Sequence, residues 1–290
     1  MSGSFRRRYP DGRQRFVQEI AALCGVRSEA VLQAFATVPR EDFLPPGPWT
    51  IEGLDGSYFR SPDEDPDHIL HAVGVAISRG EGVPLHCANP AVVAKTLEVT
   101  GIKPGDRVLH VGAGLGYFSA IIAELVGPSG QVTAAEIDPD LAAPATDNLE
   151  PWSWVTVTGD ALALPSRPYD VIFSSAGMAT LPPDWVRLLP PGGRMSLPLT
   201  GSNGGGFSFL FRRNDDGDFI EARLLSFVRF YPCLGLRGAD DIAALDTALN
   251  DRRAPFITSV REDRHDREAE CWLHGDGWCL TTRPRHRQVP

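Results

Sequence analysis

From Asn89 to Thr200 short apolar runs alternate with longer amphipathic ones, and this alternation restricts the possible folds more than any other feature of the chain. PAVVAKTLEVTG predicts a helix, RVLHV a strand, YFSAIIAELVG a helix, QVTAAEI a strand and PDLAAPATDNL a helix. VTVTG and YDVIFSSA predict two strands, PPDWVRLL a short helix, and the turn PPGGR leads into a strand MSLPLT. Strands separated by helices pack as a parallel sheet with helices on its faces. The expected fold is therefore α/β, a doubly wound, Rossmann-like sheet.

On the N-terminal side, RQRFVQEIAALCG and SEAVLQAFATV predict two helices, the first stopped by Gly25 and the second capped by Ser28. Residues 49–83 are rich in Gly, Asp and Pro around ILHAVGVAI and read as loops flanking a short helix or strand. After Gly201, FSFLFRR and FIEARLLSFVRF predict antiparallel strands, DDIAALDTAL a helix and EAECWLHGDGWCL a hairpin. The expected organisation is an N-terminal helical segment with loops (1–83), a cofactor-binding core (84–215) and a C-terminal α+β, β-rich extension (216–290) over the acceptor pocket.

Composition narrows the partners. With 28 basic and 37 acidic side chains the net charge is −9, which disfavours a grip on a nucleic-acid backbone. No apolar run approaches the roughly 20 residues of a membrane span, and the start, MSGSFRRRYPDGRQRF, has no apolar stretch behind its charges. Five scattered cysteines, an odd number, suit free thiols in a reducing cytoplasm. No nucleic-acid or membrane partner is expected, and the oligomeric state is left open.

The segment VLHVGAGLGYFSA carries Gly112, Gly114 and Gly116 between a strand and a helix, with Tyr117 following. Such a turn lets a ligand approach backbone N–H groups at a helix start. Dinucleotide enzymes use G-x-G-x-x-G, whereas the G-x-G-x-G spacing here suits S-adenosylmethionine. Glu136, followed by Ile137, ends the next strand and is an acid placed to accept ribose hydroxyls. Gly159, Asp160 and Ala161 follow the third strand, where an adenine edge would lie. Asp138 before Pro139 reads as a helix cap.

With these motifs in place, the stretch from about Ala30 to Thr200 resembles the protein-L-isoaspartate O-methyltransferase family. The resemblance is carried by VLQAFATVPREDFLP, IKPGDRVLHVGAGLGYFSAIIAELVG, AEIDPDLAAPATDNL, VTGDALALP and YDVIFSSAGMATLPPDWVRLLPPGGRMSLPL. It implies a class I methyltransferase using S-adenosylmethionine. Against the family pattern, His110 stands near the place of an acid, and a neutral histidine keeps hydrogen bonding without adding charge. The family's Gly-Gln-Thr-Ile-Ser-type loop is matched by PLHCANP, residues 84–90, with Ala88 at the serine and His86 at the threonine.

The expected reaction is methyl transfer to oxygen, on a carboxylate of a peptide, a protein or a small-molecule acid. An ionised carboxylate needs no general base, so catalysis is alignment; for a hydroxyl or amine acceptor His86 is the candidate base. Cys87, Ala88, Asn89, Ser174 and Ser175 are the candidate acceptor contacts, with Cys87 also readable as a small buried apolar residue and Asn89 as a helix cap. The alternatives are a module that binds S-adenosylmethionine without catalysis, an O- or N-methyltransferase of a small natural product, and a nicotinamide-dependent oxidoreductase. Cys271, His274 and Cys279 lie close in sequence, with His265 and His286 outside them, but neither CxxC nor HxxxH spacing occurs. Alternation would put Cys271 and Leu273 on one face and Trp272 and His274 on the other. The expectation is a hairpin with buried thiols and no metal.

Overall fold

A computed structural model describes residues 10–53, 56–77, 85–164 and 167–283. Of the positions singled out in the sequence, residues 1–9, Pro84 and His286 lie outside the described residues. In chain order the elements are α1 (Pro10–Cys24), α2 (Glu29–Thr37), β1 (Thr50–Glu52), β2 (Tyr58–Arg60), β3 (Gly74–Ala76), β4 (His86–Cys87), α3 (Pro90–Thr100), β5 (Arg107–Val111), α4 (Tyr117–Val126), β6 (Gln131–Ala135) and α5 (Pro139–Asn148). They continue as β7 (Val155–Thr158), β8 (Val171–Ser174), α6 (Pro183–Leu188), β9 (Arg194–Thr200), β10 (Gly205–Arg213), β11 (Ile220–Arg229), α7 (Ala239–Leu249), β12 (Ser259–Arg261), β13 (Cys271–Gly275) and β14 (Trp278–Thr281). The chain divides into two compact units, Met1–Asp106 with Ala113–Gly159, and Arg107–Gly112 with Asp160–Pro290. Among the described residues no helix is long and apolar enough to cross a membrane.

In the first unit the helices start and stop where their caps dictate. Ser28 Oγ accepts from Val31 N at the start of α2, Asn89 Oδ1 from Ala91 N at α3 and Asp138 Oδ1 from Asp140 N at α5. Pro90 and Pro139 occupy first helical positions, where the missing N–H costs nothing. α4 is apolar except at Ser119 and Glu124 and is buried at every position but Glu124. Phe35 and Phe43 pack edge-on or tilted against Tyr117, with ring centroids 6.2 and 5.6 Å away. β6 and β7 pair in parallel, Val132 opposite Val155.

Buried beneath this cluster, Arg40 donates to the carbonyls of Ile69 (2.7 Å), His71 (2.8 Å) and Val73 (2.7 Å). Its guanidinium also lies over the rings of Phe16 and Tyr117. One planar fork thus serves three carbonyls at and just after the 3-10 turn Pro66–Ile69 of the connection between α2 and α3.

That connection departs from the loops expected over 49–83. The described residues form a four-stranded antiparallel sheet of order β2-β1-β3-β4, with Ile51 paired to both Phe59 and Val75 and His86 paired to Ala76. Its strands are two or three residues long, shorter than the four to eight residues over which alternation can be read. Pairing, not propensity, makes them strands.

In the second unit the strand order is β13-β14-β12-β11-β10-β9-β8-β5. β5, β8 and β9 are parallel; from β9 onward every pairing is antiparallel. Phe209, Phe211 and Trp272 are fully buried. The C-terminal hairpin thus widens the sheet, with four strands, β9 to β12, between it and β8. Strict alternation in β13 is also overturned: Cys271 pairs with Thr281 but Leu273 with Leu280, so Trp272 is an extra residue on that strand. The bulge returns His274, opposite Cys279, to the face of Cys271.

Replacing Arg40 by Met keeps the buried stem but removes the donor to Ile69 O and Val73 O and one of the two donors to His71 O, which keeps Val73 N. Urea denaturation is expected to show a loss of about 3 kcal/mol; a change within about 0.5 kcal/mol would remove Arg40 from the account of this unit.

Candidate active site

From Ala113 onward the glycine turn is held to its shape within the first unit. Gly112, Gly114 and Gly116 have φ of 75°, 57° and 95°, the left-handed region that side chains rarely adopt. At Gly114 a Cβ would also stand 3.2 Å from Ile77 Cδ1. Ala113 N donates to Ala135 O at 3.1 Å and Gly116 N to Ala113 O at 3.0 Å, hanging the turn from the end of β6.

Glu136, the next residue after β6, closes the arrangement. Its Oε2 accepts from Gly114 N at 2.7 Å and its Oε1 from Asp138 N at 3.0 Å. Burial pushes the carboxyl pKa up, and the N–H donors of Asp138 and Gly114 pull it partly back. A carboxylate has about four acceptor directions, so two backbone donors leave capacity for hydroxyl donors of a ligand. Ile137 beside it is 46% exposed. At Gly159, after β7, a Cβ would meet nothing within 4 Å. Tyr117 points into the aromatic core, where burial drives its phenol well above the ordinary value.

The acceptor candidates of the first unit are built into local structure. The Asn89 amide caps α3 and donates to Ala72 O. Cys87 is buried and desolvation pushes its thiol up. His86 stacks on Tyr58, ring centroids 5.1 Å apart, and burial lowers its pKa against the opposing pull of Glu52. Ala88 follows β4 and is half-buried.

In the second unit, His110 is completely buried on β5 and its Nε2 lies 2.9 Å from Ser175 Oγ. Desolvation drives its pKa down to about 3, so the imidazole is neutral near pH 7. Ser174 Oγ donates to Ala176 O (2.8 Å) and accepts from Ala176 N (3.1 Å), turning the chain after β8. Asp160 Oδ1 accepts from Leu162 N at 2.9 Å and starts a 3-10 turn at Ala161. A cleft of ≈ 330 Å³ is lined by Ala161, Leu162, Tyr169, Ile172 and Trp185, among others. Sequence reasoning named only Ala161 of these, because an apolar lining spread over several elements has no local motif. Arg40 was missed for a similar reason, although it stands in the quoted VPRE segment.

A model of the protein-L-isoaspartate(D-aspartate) O-methyltransferase family matches residues 74–237. The protein-L-isoaspartate O-methyltransferase of Methanopyrus kandleri is 33% identical over 78% of this chain and 92% of its own length. That of Aeropyrum pernix is 34% identical over 79% of this chain and 82% of its own. The chain belongs to the protein-L-isoaspartate O-methyltransferase family. A solved protein-L-isoaspartate O-methyltransferase superposes with TM-score 0.66 at 25% identity, covering 78% of this chain and 67% of its own. A Plasmodium falciparum structure of that description, in complex with S-adenosyl-L-homocysteine, gives TM-score 0.58 at 17% identity over 76% of this chain and 97% of its own. The fold is thus mixed α/β, that of class I methyltransferases, and the family is one of S-adenosylmethionine-dependent enzymes.

The family assignment leaves His110 as a feature of this chain to be tested by pH. Between its folded pKa of about 3 and its ordinary 6.5, the unfolded chain binds a proton that the folded chain refuses. Stability therefore falls as pH drops through that interval, by up to about 1.4 kcal/mol per unit. His110→Gln keeps a hydrogen-bonding partner for Ser175 without the titration. Denaturation between about pH 6 and pH 4 should show a shallower loss in the variant; parallel curves would mean that His110 titrates normally.

Proposed function

We propose that this chain transfers the methyl group of S-adenosylmethionine to a carboxylate oxygen of a polypeptide, with isoaspartyl residues, for which its relatives are named, as first acceptor. The observation that carries the proposal is the buried Glu136 carboxylate bound to Gly114 N at 2.7 Å on a turn whose three glycines stand in the left-handed region. A ligand with vicinal hydroxyls and a narrow chain beside them suits that pairing. The S-adenosylhomocysteine bound to the Plasmodium falciparum protein supports the same ligand class.

In the first unit, Gly114, Gly116, Tyr117, Glu136, Ile137 and Gly159 are the residues assigned to the cofactor; in the second, His110, Gly112, Asp160 and Ala161. When bound, the cofactor supplies a methyl carbon made electrophilic by its sulfonium. An acceptor carboxylate brings its own nucleophilic oxygen, so the protein's task is orientation and exclusion of water. Ser174 and Ser175, with His86, Cys87, Ala88 and Asn89, are the acceptor-side candidates within residues 84–215. His86, kept neutral by burial, becomes a base only for a hydroxyl or amine acceptor. A reducing cytoplasmic setting belongs to the same proposal, on the five free cysteines.

A second reading concerns the acceptor alone. Where the family resemblance puts hydroxyl side chains, this chain has His86 and Ala88, and the neighbouring Asn89 amide is engaged at both ends. A carboxylic acid other than isoaspartate is then methylated by the same apparatus.

Calorimetry with S-adenosylmethionine is expected to give micromolar binding in the wild type and at least about tenfold weaker binding for Glu136→Ala, the worth of one good hydrogen bond. Unchanged affinity in Glu136→Ala and Gly114→Val would sink the site. Methyl incorporation into an isoaspartyl peptide, absent from its aspartyl twin, supports the first acceptor. Cofactor binding without incorporation favours the second reading, and absence of product with every native acid leaves a binding module.

A further inference from the structure

Four side chains unconnected with methyl transfer converge in the second unit. His265 lies on the connection between β12 and β13, Cys271 and His274 on β13, and Cys279 on β14; one ligand atom from each lies within 4.8 Å of the others. Cys271 Sγ is 3.0 Å from Cys279 Sγ and 3.3 Å from His265 Nε2. The His265 and His274 rings meet edge to face at 4.8 Å. The bulge at Trp272 produces this convergence, by turning Cys271 and His274 to one face.

The protonation pattern points the same way. His265 Nδ1 is 2.8 Å from Asp263 O, and a carbonyl only accepts, so Nδ1 carries the hydrogen and the neutral ring presents a bare Nε2 lone pair to the cluster. His274 Nδ1 is buried and has no hydrogen-bond partner among the described residues. Cys271 and Cys279 are 2% and 0% exposed, and the His265 side chain 6%. Two sulfurs and two imidazole nitrogens thus face one another where an unpartnered polar atom is costly.

We propose that His265, Cys271, His274 and Cys279 form a structural Zn2+ site. Two thiolates and two neutral imidazoles are a tetrahedral S2N2 set, the donor combination that selects zinc. Metal distances of about 2.3 Å to sulfur and 2.0–2.1 Å to nitrogen require ligand separations of roughly 3.3–3.8 Å. As the ion binds, the 3.0 Å sulfur–sulfur contact opens toward about 3.8 Å and the 3.3 Å sulfur–nitrogen contact toward about 3.6 Å, while the wider ones close, all by side-chain rotation. On binding, each thiol gives its proton to solvent, and the two thiolates cancel the ion's charge, which makes the burial tolerable. The His265 Nδ1–H to Asp263 O bond is the outer contact that orients a ligating histidine. With four protein ligands the coordination sphere is closed, so the ion ties the β12–β13 connection to the terminal hairpin and takes no part in catalysis.

The test uses the full chain purified under reductant. Elemental analysis is expected to give about one Zn2+ per chain, and Co2+ replacement the thiolate charge-transfer and strong d–d absorption of a tetrahedral site. Cys279→Ser and His274→Ala should each lose that spectrum, while Cys24→Ser keeps it. A strong chelator should lower the melting temperature of the wild type. A reduced wild-type chain that takes up neither ion with a thiolate band would overturn the proposal even if the variants fail to fold. So would an unchanged spectrum in both folded variants, or a Cys271–Cys279 disulfide found by alkylation and mass spectrometry in the chain as isolated.

Discussion

The Glu136 carboxylate, desolvated and bound by backbone N–H groups, fixes two pieces of chain at once. Through Oε2 it holds Gly114 and hence the glycine turn; through Oε1 it holds Asp138, whose own carboxylate starts α5. Burying an acid in this way is unfavourable, as its raised pKa records. The N–H groups of a glycine turn and of a helix entry offset part of that cost because they too would otherwise lack partners. The loop is therefore preorganised by an unfavourably placed charge.

His110 follows the opposite electrostatic logic. Desolvation keeps this completely buried imidazole neutral, so it contributes direction through Ser175 but no net charge. A chain with an acid at this point would balance the positive sulfonium of the cofactor with a fixed charge.

The sequence made the longer elements legible because each carries a period or a cap that physics reads locally. Asn89-Pro90 and Asp138-Pro139 announce helices, and Gly101, at φ 67°, ends one. Spacing singled out Glu136 as a partner for ribose hydroxyls; its bond to Gly114 N is what the structure adds. What escaped was whatever depends on distant partners. β1 to β4 are strands only because Ile51 finds Phe59 and Val75. Arg40 matters for carbonyls about thirty residues away, and the apolar cleft gathers Leu162, Tyr169 and Trp185 from separate elements. The extra residue at Trp272 escaped as well, since a bulge changes which side chains share a face without changing the residues themselves.

That bulge has a consequence for how the molecule meets its neighbours. β13 stands last in the strand order of its unit, and a terminal strand with a regular row of donors and acceptors invites another chain to pair with it. At Trp272 the row loses its rhythm, so an incoming strand in register before the bulge is out of register after it. The irregularity that gathers two cysteines and two histidines also makes the rim of the sheet a poor template for growth.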